Sequence, residues 1–570
     1  MGSKMPYDFI VVGSGPAGAC LASRLASSKR LPSVLLLEAG GVNSNKNIRL
    51  LADRYDTFGL QDLNWGYKTV PQKNLNGRQV DYSRGKGLGG SSAINFALYT
   101  VGPRDDYDEW ARIVGDNAFS WQNARKCYDK LETYSMNHQT HLKKYLDPSP
   151  LAHGSAGPLP ISFPQTWEKG FFELLDAAEA FGMHLNPDTN SGDPIGIGIT
   201  PSTAANSTRV TASSVFLEKS PINLTIMTDS PVSKVLFDRK RAIGVISNGR
   251  MYTVSREVII SAGAVNTPQL LLLSGVGPQD ELAVHEIECV HHLPGVGKNL
   301  QDRYIVPLIA QRVDGTNDRA ALLTNPSALT AAREQFDKDG TGPLTVIFNS
   351  LILGWVRNNR LFQSNEFMLL PTEVQTHLRR PTVPSYEIGT YTRTNSPLAD
   401  ISKDYLTVSV IGMSVQSTGT ITLASADPND APVCDPNAFS SPFDRLNAIE
   451  GVKYIMDFMN SPAVAKDIIQ PFSMPASTSD EDIWLFIQEN SKTSWHMSCT
   501  AKMGKIDDPT ACVDNDFKVF GLKSLRVVDM SVTPFITNCH VVAVAYLVGE
   551  IAAEKIIQEY GLDNTSETKV

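Results

Sequence analysis

An α/β fold interrupted by an antiparallel sheet is what this sequence predicts, and three observations lead there. The N-terminal run "YDFIVVGSGPAGACLASRLA" passes from an apolar stretch through three glycines into residues of helical composition. Further glycine clusters recur along the whole chain, each beside a predicted strand or helix. The segment "DYLTVSVIGMSVQSTGTITLASADP" alternates in the way antiparallel strands do.

In chain order, residues 8–12 form a short apolar run without alternation, the pattern of a strand buried on both faces of a parallel sheet. Gly13, Gly15 and Gly18 then give G-x-G-x-x-G before a helix over about residues 16–27. The first glycine permits a tight turn, the second a close backbone approach to a pyrophosphate, and the third close helix–strand packing. The free N–H groups at the helix start favour phosphate oxygens. A second strand, "SVLLLEAG", ends at Glu38, twenty residues after Gly18. An acid there accepts hydrogen bonds from ribose hydroxyls and repels a 2′-phosphate. Together these elements predict a bound dinucleotide on a Rossmann-like unit.

The next cluster, "YSRGKGLGGSSAINFALYTVGPRDDYDEW", places Gly85, Gly87, Gly89 and Gly90 where backbone can press on a flat ligand. It is followed by "SAGAVNTPQLLLLSGVG", "LPGVGKNLQD" and finally "LRVVDMSVTPFITNCHVVAVAYLVGEIAAEKII". One nucleotide-binding unit is thus predicted in pieces, over residues 1–154, 208–310 and 490–570. Residues 155–207 and 311–489 are expected to form an inserted substrate domain with an antiparallel sheet. Its strands are read in "NEFMLLPTEVQ" and in the alternating segment, with the helix "FDRLNAIEGVKYIMDFM" covering the sheet. Substrate is expected between the two domains, where clefts form.

Composition excludes several classes. The chain has 570 residues and a formal net charge of −9 with no basic block, which argues against nucleic acid as the main partner. Seven cysteines show no C-x-x-C spacing, so scattered buried thiols are expected, with neither a disulfide frame nor a metal site. The apolar run "VVAVAYLVG" is too short to span a bilayer. No apolar leader precedes the first strand, which predicts an intracellular protein.

The motifs together resemble the glucose-methanol-choline (GMC) family of flavin oxidoreductases. Residues 85–108 resemble the family's first signature and residues 263–277 its second, while "SWHMSCTAKMG" and "NCHVVAVAYLVGE" resemble its C-terminal active-site segments. The resemblance runs from Tyr7 to about Tyr560 and implies FAD. It implies Gly13, Ser14, Gly15 and Gly18 at the pyrophosphate loop, and Glu38 with Ala39 at the adenosine ribose. Val232 is expected beside the adenine, and Trp65, Gly90, Ser91 and Asn95 with the flavin end. Asp529 and Val541 are expected at the ribityl chain and pyrimidine edge. Some members tether FAD through a histidine in the glycine-serine loop; Ile94 stands at the corresponding place, so non-covalent FAD is expected.

The resemblance further implies a catalytic pair, His496 and His540. Hydride transfer from an alcohol carbon to flavin N5 requires loss of the hydroxyl proton, and a neutral imidazole titrates in the right range to take it. The resemblance gives this role to His496 and leaves His540 to hold the same oxygen. Trp495 is expected to line the pocket. Three positions depart from common family patterns: Cys499 where glycine is frequent, Cys539 beside His540, and Arg303 after "NLQD" where histidine is frequent. The implied function is oxidation of a small-molecule alcohol to an aldehyde or ketone, with electrons passed to dioxygen or a quinone-type acceptor. Small residues after His496 favour dioxygen. The alternatives are a hydroxynitrile-lyase-type enzyme with redox-silent FAD and a non-enzymatic flavoprotein. Neither the alcohol nor the oligomeric state follows from the sequence.

Overall fold

The computed structural model describes residues 5–44, 49–50, 53, 56–135, 142–164, 167–345, 352–391 and 396–563. Its organising element is the strand Tyr7–Val12, in which Phe9, Ile10 and Val11 are fully buried. Burying each such side chain contributes about 1.5–3 kcal/mol. Val34–Leu37 pairs in parallel on one side of it, and Arg250–Ile260 on the other. Leu224–Met227 and Leu525–Val527 extend the parallel part at its two edges. Val232–Asp238 and Arg241–Ser247 form an antiparallel continuation with the long strand Arg250–Ile260. Strands far apart in sequence therefore share one sheet, as the recurring glycine clusters predict.

Helix Pro16–Ala26 starts with proline in its first turn, where a missing N–H costs nothing. It packs on the last helix, Val542–Glu559. The approach is close: a Cβ on Gly549 would stand 2.5 Å from the Ala17 carbonyl oxygen. Gly18 has the same function on the other side, since a Cβ there would run into the Gly13 carbonyl and stand 2.9 Å from Ser261 Cβ.

The second large sheet is antiparallel and runs in the order Ile352–Val356, Tyr386–Tyr391, Tyr405–Gly412, Tyr304–Arg312 and Ile468–Ser473. Lys492–Thr493 pairs with the start of Tyr304–Arg312, so this sheet begins before residue 310 and ends after residue 490. Helix Pro442–Met459 packs on Tyr405–Gly412, a strand buried on both faces.

One predicted strand is a pair of helices instead. "NEFMLLPTEVQ" folds as Asn365–Met368 and Thr372–Leu378. The Ser364 side chain caps the first by accepting from Phe367 N, and Pro371 stands immediately before the second. Capping and proline placement outweigh the β-like composition. All seven cysteines are free, and all but the half-buried Cys289 are buried, in accord with scattered thiols. Among the described residues no helix is long and apolar enough to cross a membrane.

Candidate active site

A cavity of about 380 Å3 runs between the two sheets. One end is made of backbone. Gly13, Ser14 and Gly15 line it, as do Glu38 and Ala39 from the end of the second strand. Val232 lies on its wall at the start of its strand, and Gly90, Ser91, Asn95 and Trp65 continue the lining. Asp529 and Val541 close the far side. Gly18, by contrast, is a packing residue outside the lining.

Two helices start at this end, Pro16–Ala26 and Gly263–Leu273. Neither Gly15 nor Gly263 has an atom within 4 Å of where a Cβ would stand. Two helix N-termini thus open onto the cavity through residues without side chains, which fits the pyrophosphate of a dinucleotide.

Glu38 is used more fully than its spacing predicts. Its Oε2 accepts from Ser14 N at 3.0 Å and Ser14 Oγ at 2.7 Å, and its Oε1 accepts from Gly40 N and Gly87 N, both at 3.0 Å. One carboxylate ties three glycine-bearing loops together. Asp529 does similar work at Gly263, accepting from its N–H at 2.9 Å and from Thr267 Oγ1 at 2.6 Å. Asn95 Oδ1 is held by Arg209 Nη1 at 2.7 Å and by Ala97 N at 3.0 Å.

The other end is made of side chains from distant segments. His496 and His540 meet edge to face, their ring centroids 4.9 Å apart, and both line the cavity with Trp495. Asp302, from "NLQD", fixes the His496 backbone by accepting from its N–H at 2.8 Å, and the same carboxylate accepts from Arg303 N and Thr493 Oγ1. The loop is tightly wound here: Trp495 and Cys499 have φ of 57° and 74°, in the region that favours glycine. This gives a physical reason for glycine at the position of Cys499. Thr100 Oγ1 accepts from His540 N at 2.7 Å.

Arg303 is fully buried and donates through Nη1 to His496 Nδ1 at 3.3 Å and to the Cys539 carbonyl at 2.7 Å; Nη2 donates to the Thr537 carbonyl. Glu387, from Tyr386–Tyr391 of the second sheet, meets His540 Nε2 at 3.0 Å. Burial, followed by the nearby His540, Arg303 and Arg84, pushes the His496 imidazole well below its ordinary range. Burial pushes the thiols of Cys499 and Cys539 up to about 12, so neither is a thiolate near neutral pH.

Phe58 meets Trp495 at a tilt, with ring centroids 4.8 Å apart, and Phe96 meets both, at 5.4 Å from Phe58 and 5.7 Å from Trp495. This triad forms an aromatic wall near the histidines. Ser498, Thr500 and Ala501, expected to keep the reacting edge open, are fully buried behind the cavity rather than on its wall. Glu387, Phe58 and Phe96 were not singled out from sequence. Glu387 carried one signal, the only charged residue in the strand Tyr386–Tyr391.

Backbone cradles at two helix starts, joined to a histidine pair at the other end of one cavity, suit an enzyme that binds a dinucleotide and moves a proton beside it. The chain belongs to the GMC oxidoreductase family: the N-terminal family model matches residues 7–305 and the C-terminal one residues 415–549. It is 33% identical over 564 residues to an alcohol dehydrogenase [acceptor] of Pseudomonas putida, covering 97% of this chain and 96% of that one. It is 31% identical to patulin synthase of Penicillium expansum, covering 96% and 91%. Among solved structures, a formate oxidase of Aspergillus oryzae RIB40 superposes with a TM-score of 0.87 at 26% identity, covering 98% of this chain and all of the other. The cofactor of this family is FAD, and the cavity's lining suits it.

Proposed function

We propose that this enzyme oxidises an alcohol bearing an apolar or aromatic group to the aldehyde or ketone. The observation that carries the reading is the pair His496 and His540, edge to face on the wall of the glycine-loop cavity. Two imidazoles at one point can divide the tasks of accepting a hydroxyl proton and donating a hydrogen bond to the oxygen that loses it. The alcohol's apolar part would lie against Phe58, Phe96 and Trp495, which presents the carbinol carbon to the histidines. The aromatic wall also excludes water, so the charge developing on oxygen is met by fixed groups rather than solvent.

Ser14, Gly15 and the start of Gly263–Leu273 would hold the pyrophosphate, and Val232 the adenine. Glu38 would share its acceptors with the ribose, and Asn95, Asp529 and Val541 would meet the flavin end. When bound, FAD supplies the hydride acceptor and passes the electron pair to dioxygen or a quinone-type acceptor. Attachment is non-covalent, since Ile94 on the cavity wall offers no nucleophile. Acid precipitation is expected to leave all the yellow chromophore in the supernatant; colour on the pellet would refute this.

The test of the activity is anaerobic mixing with a panel of aryl, allylic and aliphatic alcohols, followed by flavin absorbance. Bleaching by aryl alcohols is expected, with the aldehyde recovered. No bleaching by any alcohol would overturn the reading. Oxygen uptake compared with dye reduction then assigns the acceptor.

A further inference from the structure

The cavity wall carries one arginine whose donors are not spent. Among the described residues that line the cavity, Arg84 is the only lysine or arginine. Its Nε donates to the Ser83 carbonyl at 2.8 Å, while its two Nη groups make no hydrogen bond or ion pair among the described residues. The neighbouring carboxylates are committed elsewhere. Asp302 accepts from Arg303 N, His496 N and Thr493 Oγ1, and Asp81 accepts from Ser83 N, Ser83 Oγ and Trp495 Nε1. Burial therefore holds the Arg84 guanidinium below its ordinary pKa, and the attraction of Asp302, Tyr82 and Asp81 does not offset it. Arg303, the other arginine acting on His496, differs: the Cys539 and Thr537 carbonyls already engage it.

Arg84 is fixed in the same framework as the aromatic wall, and Ser83 is the hub. Asn64 Nδ2 donates to Ser83 Oγ at 2.9 Å and to the Phe58 carbonyl at 3.0 Å. Asp81 joins Ser83 to Trp495, whose Nε1 donates to it at 2.7 Å. The Arg84 carbonyl accepts from Trp65 N at 2.9 Å. Rings and guanidinium are thus held relative to one another. A half-buried cation without a counter-charge is costly, and an incoming anion offsets that cost. The two Nη groups form a planar fork that matches a carboxylate with two parallel hydrogen bonds.

We infer that Arg84 is a substrate-recognition residue, and that the alcohol oxidised here carries a carboxylate on its aromatic body. The carbinol lies at His496 and His540, the ring lies against Phe58, Phe96 and Trp495, and the carboxylate pairs with the Arg84 Nη groups. The carboxylate gains and loses no covalent bond, so the hydride and proton steps are unaffected. The inference rests on the alcohol-oxidising reading given above and narrows its substrate class. The other anion the cavity suits is the pyrophosphate of FAD, whose cradles lie at Gly15 and Gly263.

The test compares 3- and 4-(hydroxymethyl)benzoate with their methyl esters in anaerobic flavin reduction by the holoenzyme. Each ester keeps the ring and carbinol and loses the charge. The better carboxylate is expected to half-saturate the enzyme at a concentration about 10- to 100-fold below that of its ester. Arg84→Met is expected to erase this preference while FAD is retained. Arg84→Lys, a gentler change should Arg84→Met misfold, is expected to keep only part of it, because an ammonium lacks the fork. Benzoate, which cannot be oxidised, is expected to perturb the flavin spectrum at lower concentration than benzamide. Failure of every alcohol to bleach the flavin would sink the activity, while the benzoate titration would still judge the anion site. Equal saturation by acids and esters, equal binding of benzoate and benzamide, or a preference that survives Arg84→Met would overturn the inference. Loss of FAD from both Arg84→Met and Arg84→Lys would give the guanidinium to the cofactor and overturn it too.

Discussion

The two ends of the cavity are built on opposite plans. At the cofactor end, main chain and small side chains meet a few acids that bind the protein to itself: Glu38 takes four bonds from three loops, and Asp529 pins the start of Gly263–Leu273. At the histidine end, four side chains from distant segments, His496, His540, Arg303 and Glu387, meet in one buried cluster. The contrast teaches that binding here is a property of backbone shape, and reactivity a property of contacts across the fold. Changes at the first end should cost the cofactor and the fold; changes at the second should cost chemistry and leave both.

The largest effect is expected from Gly18→Leu. The new side chain has no space between the Gly13 carbonyl and Ser261 Cβ, so the first turn must open. Expression should yield little soluble protein, and what is soluble should lack flavin absorbance. Normal flavin content would show that the helix can move away, and that the cofactor end is not built on backbone contact.

Next comes a matched pair of acids. Glu38→Ala strands four donors, each bond to a charged acceptor being worth about 1.5–3 kcal/mol. FAD affinity should weaken at least about tenfold, with a clear fall in melting temperature. Glu387→Gln should retain FAD and melt nearly as the unaltered enzyme does, though its reduction rate falls. Equal loss of flavin in both variants would erase the distinction between the two ends.

A finer effect concerns acid. His496 is held below its ordinary pKa of about 6.5, so below that pH the unfolded chain binds a proton that the folded chain does not. Its contribution is fully present above about pH 6.5 and is lost as pH falls toward the depressed folded value. His496→Gln should therefore flatten the acid side of the melting profile, by at most about 1.4 kcal/mol per pH unit. Parallel profiles would mean that His496 titrates normally.

The smallest effect is expected at the aromatic wall. Phe58→Ala removes ring contacts with Trp495 and Phe96, each worth about 0.5–1.5 kcal/mol. KM for aryl alcohols should rise about 2- to 10-fold, with little change in kcat or for short aliphatic alcohols. An equal rise for both classes would place the triad outside the substrate's path.

The dinucleotide loop was legible because its requirements are local. A turn at Gly13, open space at Gly15 and close packing at Gly18 each concern residues within one strand–turn–helix unit, and composition reports them directly. The histidines were visible through the family's motifs, and Glu38 through its place at a strand end. Other readings failed where neighbours decide. The segment 365–375 looked like a strand until a serine cap and a proline made it two short helices. Ser498, Thr500 and Ala501 are buried outside the cavity lining, a placement that their small size does not report.

What no linear pattern carries is the company each histidine keeps. Arg303 lies 193 residues from His496, and Glu387 lies 153 residues from His540. Both contacts exist only because the antiparallel sheet closes over the flavin sheet and brings Tyr304–Arg312 and Tyr386–Tyr391 to the same cavity. An imidazole's tautomer and charge depend on groups within a few ångströms and on the water they exclude. Residue order therefore announces that two histidines matter, while packing between the sheets decides which groups stand beside each imidazole.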